Sequence, residues 1–396
     1  MSVDRYNLIF IATLFVHFII LLFGANSLDI NYKEVDILYE SSGLLHYIIY
    51  YSTELLGNNN IALRLPFIFF FLCSTILLYK LTKWYFTKKE DRLLSIFIFM
   101  LLPGVNSAAL LVNEAIIVIF LTLVYLFYYH QTSKQNYYLL FAFLFVDNSF
   151  AIFYLALFFY SLNKKDNILL AASLALFALS MGIFGFDSGG VPRGHFVDII
   201  LVYASVFSPI LFFYFFYSMY RITIKEEKNL YWYISFTAFA FSLVLSFRQR
   251  IQIEDFAPFV VIAIPMMLKL YLHSMRVRLP MFRKKHYFWA NIAFGVLIIN
   301  FLLLYVNKPL YLFLDTPYKH FAYDYHFAEE VAQKLKDDGI DEVFSTNSSF
   351  AKRLKFYGIN GGEKYYITFY EENGYDKKYD MEVMGKEVLN IYVTKF

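Results

Sequence analysis

The chain has 396 residues, of which 59% are hydrophobic, 21% aromatic and 17% charged, with 47 Phe, 35 Tyr and a formal net charge of +3. Soluble chains carry roughly 25% charged residues, so this composition excludes a disordered chain, an ordinary water-soluble enzyme and a disulfide-stapled secreted domain, and points to lipid as the solvent. The small net charge, with no basic block interleaved with aromatics, argues for no nucleic-acid partner, and the single cysteine, Cys73, lies in an apolar run and reads as a small buried hydrophobe.

Apolar runs long enough to span a bilayer, or nearly so, follow in order at 7–24, 61–80, 93–111, 115–130, 138–161, 167–186, 197–220, 230–247, 257–273 and 287–306. The first is too long for a removable signal peptide and lacks a small-residue cleavage site, so it is expected to stay as the first helix. The segment 25–60 that follows is of mixed character. Its apolar residues Leu44, Ile48, Tyr51 and Leu55 recur at helical spacing, which predicts an amphipathic helix lying on the membrane surface between 37 and 56. Acidic residues precede it at Asp29, Glu34, Asp36 and Glu40.

Four basic loops set the orientation. They are Lys80–Arg92, Lys164-Lys165, Arg221–Lys228 and Arg276–Lys285, and the positive-inside bias places all four in the cytoplasm. The run 138–161 breaks that parity unless it is a hairpin of two short helices turning at Asp147-Asn148-Ser149, a polar turn signal. The count is then eleven crossings, with the N-terminus inside. The outer face receives 25–60, the 112–114 corner, the Asp147 turn, 186–196, 248–255 and the C-terminal region.

From Lys308 the character changes: the last 89 residues hold 27 charged side chains and the first 307 hold 40. Helices are expected at 320–338 and 348–357, and strands at 342–345, 365–370 and 388–393. The expected fold is therefore an all-α polytopic membrane domain, 1–310, containing the first outer loop 25–60, followed by a small α/β domain, 311–396, on the outer face.

The stretch LLGNNNIALRLPF, Leu55 to Phe67, resembles the G-x-N-x-x-A-x-R-L-P signature that opens the second helix of polytopic glycosyltransferases of the GT-C fold. The resemblance is to the group containing protein mannosyltransferases and lipid A aminoarabinose transferases. Aligned on Tyr32-x-Glu34, Asp29 takes the place of the second acid of that group's acidic pair, and Leu28 that of the first. Asn113-Glu114-Ala115 is similar to the acidic opening of its fourth helix. The regions 194–221 and 248–265 are similar to its later helices. Its Lys-Pro-Pro is absent from the first loop, where Gly43-Leu44-Leu45-His46 stands, and its Lys-Gly pair is replaced by Asp147-Asn148. The resemblance covers about 7–270.

What the resemblance implies is transfer of one sugar from a polyprenyl-phosphate donor to an acceptor hydroxyl on a lipid, glycan or protein, at the outer face of a bacterial inner membrane. The hydroxyl attacks the anomeric carbon and the lipid phosphate leaves. A carboxylate must take or orient the hydroxyl proton, and cations must hold the leaving phosphate. Asp29 is the first candidate base, with Glu34 and Glu114 beside it; each also reads as a solvated or helix-capping acid. Arg193, His195, Arg248 and Arg250 are the outer-face cations available for the phosphate, since a guanidinium fork suits phosphate oxygens; lipid headgroups or Glu254 and Asp255 are their other partners. Arg64 is expected to pin the first loop. No cofactor is certain; a divalent metal ion, if one takes part, would fall to Asp29 and Glu114. No G-x-S-x-G, H-E-x-x-H or Walker loop is present. The rival readings are a transporter or flippase of lipid-linked sugars, and an O-antigen ligase or polymerase. The first needs polar residues through the helix middles, which hold almost none, and the second a large late outer loop, which does not occur between the helices, where only the C-terminal tail follows.

Overall fold

A computed structural model describes residues 5–185, 194–371 and 374–395. The chain divides into two compact units, Met1–Phe18 with Phe67–Phe301, and Ile19–Pro66 with Leu302–Phe396. This differs from a division near residue 310: the first outer loop groups with the C-terminal residues, because side chains of the two segments bond to one another.

The helical unit contains most of α1 (Arg5–Ser27), α4 (Asn60–Tyr85) and α16 (Pro280–Tyr305). Before α4, within the other unit, lie α2 (Tyr32–Tyr39) and α3 (Leu44–Leu56). After α4 come α5 (Lys89–Leu101), α6 (Pro103–Leu110), α7 (Ala115–Thr132), α8 (Tyr137–Phe143), α9 (Phe150–Lys164) and α10 (Asn167–Phe184). Then follow α11 (Phe196–Phe207), α12 (Pro209–Lys225), α13 (Leu230–Ser246), α14 (Ala257–Val260) and α15 (Ile264–Val277). Side chains mark several starts: Asn136, Asp166 and Asn229 accept from the N–H groups of Leu139, Leu169 and Trp232.

Among the described residues six stretches are long and apolar enough to cross a bilayer: Arg5–Ser27, Asn60–Tyr85, Ala115–Thr132, Asn167–Phe184, Ile253–Val277 and Pro280–Tyr305. The count rises to eight if each of two bent pairs is one span. The protein is thus a multi-pass membrane protein, with fewer full-length spans by length and composition than the eleven crossings expected. The shortfall has local causes. The run 93–111 breaks by 57° at Pro103, which forces Leu102 into an extended conformation. The run 197–220, expected as one span, turns by 107° at Ser208-Pro209, where Ser208 has φ +80° and the proline offers no N–H to continue the ladder. The 138–161 run does divide at the Asp147 tripeptide, into α8 and α9, both too short to span fully.

In the first outer loop the helix expected over 37–56 is two, α2 and α3, separated at Glu40–Gly43. α3 buries Leu45, Ile49 and Thr53, and leaves Leu44, Tyr51 and Leu55 exposed.

The C-terminal residues form an α/β layer. α17 (Ala328–Asp337) and α18 (Ser348–Phe356) accompany a sheet of β1 (Glu342–Ser345), β2 (Asn360–Thr368), β3 (Lys377–Val383) and β4 (Lys386–Lys395), in the order β1-β2-β4-β3. β1 and β2 are parallel around α18, and the other pairs are antiparallel. Val331, Leu335, Leu354, Ile367, Met381 and Ile391 sit in the core. β3 escapes the sequence reading because four of its seven residues are charged. It is an edge strand, where such charges block further pairing, and it buries only Met381 and Val383. Its hairpin to β4 turns on Met384-Gly385, both at positive φ, as a tight two-residue turn requires. α17 is shorter than the 320–338 expected, because Phe327 has φ +70° and ends the preceding run of 3-10 turns.

Candidate functional site

Asp29 follows α1 and is only 8% exposed. Its main-chain N–H donates to the Tyr325 carbonyl at 2.9 Å. Its carboxylate Oδ2 accepts the Glu329 N–H at 3.1 Å, at the first turn of α17. That helix has no capping side chain of its own, since its N-cap residue is Phe327. Asp29, 300 residues away in sequence, supplies the cap, and the carboxylate sits where a helix N-terminus favours negative charge. Arg353 Nη2 stands 3.9 Å from the same oxygen. Burial pushes the Asp29 carboxyl up, and Arg353, the N–H groups of Glu329 and Ala328, and Lys308 pull it back.

Arg64 is fully buried. Its Nη2 donates to the Asp29 carbonyl at 2.8 Å and its Nη1 to the Asn60 carbonyl at 3.2 Å. Its Nη2 also lies 3.4 Å from Glu34 Oε2. Glu34 is buried too, and the same oxygen accepts the Asn31 N–H at 3.0 Å in a capping box that starts α2. The geometry gives both residues a holding role: Arg64 ties α4 to Asp29, two residues beyond α1, and Glu34 ties α2 to Arg64.

Residues not singled out from the sequence complete this group. The Tyr357 hydroxyl donates to Asn60 Oδ1 at 2.6 Å and accepts the Ile30 N–H at 3.0 Å. Asn60 Nδ2 donates to Glu329 Oε2 at 2.7 Å. Lys352 pairs with Asp36 at 2.5 Å and Glu40 at 2.9 Å. A sequence signal for Arg353 existed: it shares the i, i+3, i+4 apolar stripe of α18 with Phe350 and Leu354, and a charge on such a stripe needs a buried partner.

Glu114 lies in the helical unit, just before α7. Its carboxyl is pushed up to about 7, first by burial and then by the charges of Asp147 and Glu254. Asp147 Oδ2 accepts the Ser149 N–H at 3.0 Å, which fixes the turn into α9. A cavity of about 300 Å³ in this unit is lined by Asn148, Ser149, Met181, Arg250, Gln252 and Asp255, among others. The Ser149 hydroxyl there is buried without a hydrogen-bond partner among the described residues. Arg250 is among the residues that line this cavity, whose walls are otherwise largely apolar, and Arg248 is not; both arginines are exposed. Among the described residues the side chain of neither makes an ion pair or hydrogen bond; the Arg248 main-chain N–H donates to the Leu245 carbonyl at 2.9 Å. His195 Nδ1 is 3.1 Å from Asp198 Oδ2, and the His195 main-chain N–H donates to the Ser246 carbonyl at 2.8 Å. Arg193 lies outside the described residues.

Asp29 and Glu114 fall in different units, and each is placed here with its own neighbours. Among the described residues no group of three or more His, Cys, Asp or Glu side chains is arranged to hold a metal ion.

Residues 43–184 match the family model described as dolichyl-phosphate-mannose-protein mannosyltransferase. A comparison with curated proteins finds no match. The matched segment contains the Leu55–Phe67 signature, Glu114 and the Asp147 turn, and Asp29 precedes it. With several helices able to cross a bilayer, the match supports a membrane glycosyltransferase of the GT-C type. At that level the chain is similar to mannosyltransferases.

Proposed function

We propose that this protein transfers one sugar from a polyprenyl-phosphate carrier to an acceptor hydroxyl at the outer face of a bacterial inner membrane. The observation that carries the reading is the family match over 43–184, on a chain with several apolar spans. In this reading the four basic loops are cytoplasmic, and the unit holding Asp29 is extracytoplasmic.

Asp29 is the candidate base. Among the described residues one main-chain N–H, that of Glu329, takes one of the roughly four acceptor positions of its carboxylate, so lone pairs remain to receive a proton from the acceptor hydroxyl. The hydroxyl oxygen bonds to the anomeric carbon, the carbon–oxygen bond to the phosphate breaks, and the lipid phosphate departs as an anion. Arg250, at the edge of the cavity with Asn148 and Gln252, is the candidate cation for that phosphate; Arg193, His195 and Arg248 are tested alongside it. Glu114, with a carboxyl near neutrality, is the candidate second acid–base group. Glu34 and Arg64 hold the first loop.

The experiment is mass spectrometry of envelope glycans from cells lacking the protein, re-supplied with wild type, Asp29→Asn, Glu114→Gln or Arg250→Gln. One sugar missing without the protein and restored only by wild type supports the reading. An unchanged glycan profile in the cells lacking the protein refutes it.

A further inference from the structure

Arg353 belongs to α18 and is 6% exposed. A buried guanidinium is costly, and an apolar residue of similar volume would stabilise this stripe at least as well. Its hydrogen bonds show what the cost secures. Nε donates to the Ile30 carbonyl at 2.9 Å, and Nη2 donates to the His326 carbonyl at 2.8 Å. Ile30 is the residue after Asp29, and His326 closes the turn from which α17 starts. The same guanidinium stands 3.9 Å from the Asp29 carboxylate. One side chain therefore joins the three parts of the seat of Asp29: the chain that carries it, the helix whose N–H holds it, and the carboxylate itself.

We infer that Arg353 is a positioning residue for Asp29: the C-terminal α/β layer sets the place and direction of the candidate base. The inference rests on the reading of Asp29 as that base. Neighbouring residues share the task. Lys352 anchors Asp36 and Glu40, and Tyr357 anchors Ile30 and Asn60, so one helix and the residue after it grip the first outer loop at several points. The charged groups around the carboxylate are Arg353 from α18, Lys308 from the turn after α16, and Glu329 from α17. Among these, Arg353 also bonds the main chain on both sides. The Arg64 bond reaches the Asp29 carbonyl, whereas Arg353 stands at its carboxylate.

The test is a double-mutant cycle in membrane vesicles that contain their native donor and acceptor. Transfer is followed by mass spectrometry and normalised to folded protein. Arg353→Gln is expected to lower the rate about 100-fold, the scale of a base misplaced by an ångström. Arg353→Lys, which keeps the charge but not the two-armed bonding, is expected to recover part of that loss. In an Asp29→Asn background neither change is expected to lower the residual rate further, since Arg353 acts through Asp29. Additive losses would overturn the inference while leaving Asp29 as the base. Full activity of Asp29→Asn alone would overturn the base assignment, and the inference with it. Arg353 variants whose rate per folded molecule equals wild type would reduce the residue to a structural one.

Discussion

Replacing Asp29 by Ala and by Asn separates its two roles, because Asn can still accept a hydrogen bond and cannot take a proton. In Asp29→Ala the Glu329 N–H loses its 3.1 Å acceptor and α17 loses this side-chain cap, worth about 1 kcal/mol. The buried Arg353 also loses its nearest carboxylate. Breaking a buried pair costs roughly 3–5 kcal/mol, and the 3.9 Å separation with two carbonyl acceptors already on Arg353 places this one at the low end. The sum is about 4 kcal/mol for Ala. For Asn, which is among the best capping residues, only the charge contribution is lost. Hydrogen exchange at the first turn of α17 reads the cap: protection of the Glu329 amide should fall in the Ala variant and persist in the Asn variant. Transfer per folded molecule reads the chemistry, and should fall by roughly 10²–10⁴-fold in both. Wild-type transfer by Asp29→Asn, or unchanged exchange in Asp29→Ala, would refute this reasoning.

Two further outcomes are expected. The Glu114 carboxyl sits at about 7 in the folded chain against an ordinary 4.5, so the folded state holds its proton more tightly. Stability should therefore fall as pH rises from about 4.5 to 7 and level off above; thermal unfolding across that range should show the slope in wild type and a shallower one in Glu114→Gln, with Asp255, whose charge is coupled to that of Glu114, supplying the remainder. Gly104→Ala should destabilise the helical unit by about 1–3 kcal/mol, since the added carbon would lie 2.5 Å from Val206 Cγ1 and 3.1 Å from its Cα, and backbone cannot yield as a side-chain tip can. An unfolding temperature unchanged in that variant would show that α6 and α11 have room to part.

Much of the architecture was legible because membrane helices declare themselves by length and apolarity, and turns by Pro and Asx residues. Pro103 and Pro209 broke two expected spans, and both prolines were visible; the angle of the second break depends on Ser208 at φ +80°, which no periodicity records. The Leu55–Phe67 signature and Glu114 lie in the segment that matches the family. The neighbours of Asp29 were not legible. Arg353, Tyr357 and Glu329 are about 300 residues away, and nothing in the local pattern says which acid a buried arginine will meet. β3 was hidden by its charges, which are what an edge strand requires.

The most direct measurement follows the lipid donor. Polyprenyl lipids extracted from cells lacking the protein are placed in proteoliposomes with purified protein and acceptor membranes, and the lipids are analysed by mass spectrometry. Glycosyl transfer predicts that one polyprenyl-phosphate sugar disappears while polyprenyl phosphate and glycosylated acceptor appear in equal amounts. Movement of the intact sugar lipid across the bilayer with no loss of its sugar would contradict the account and establish the transporter instead.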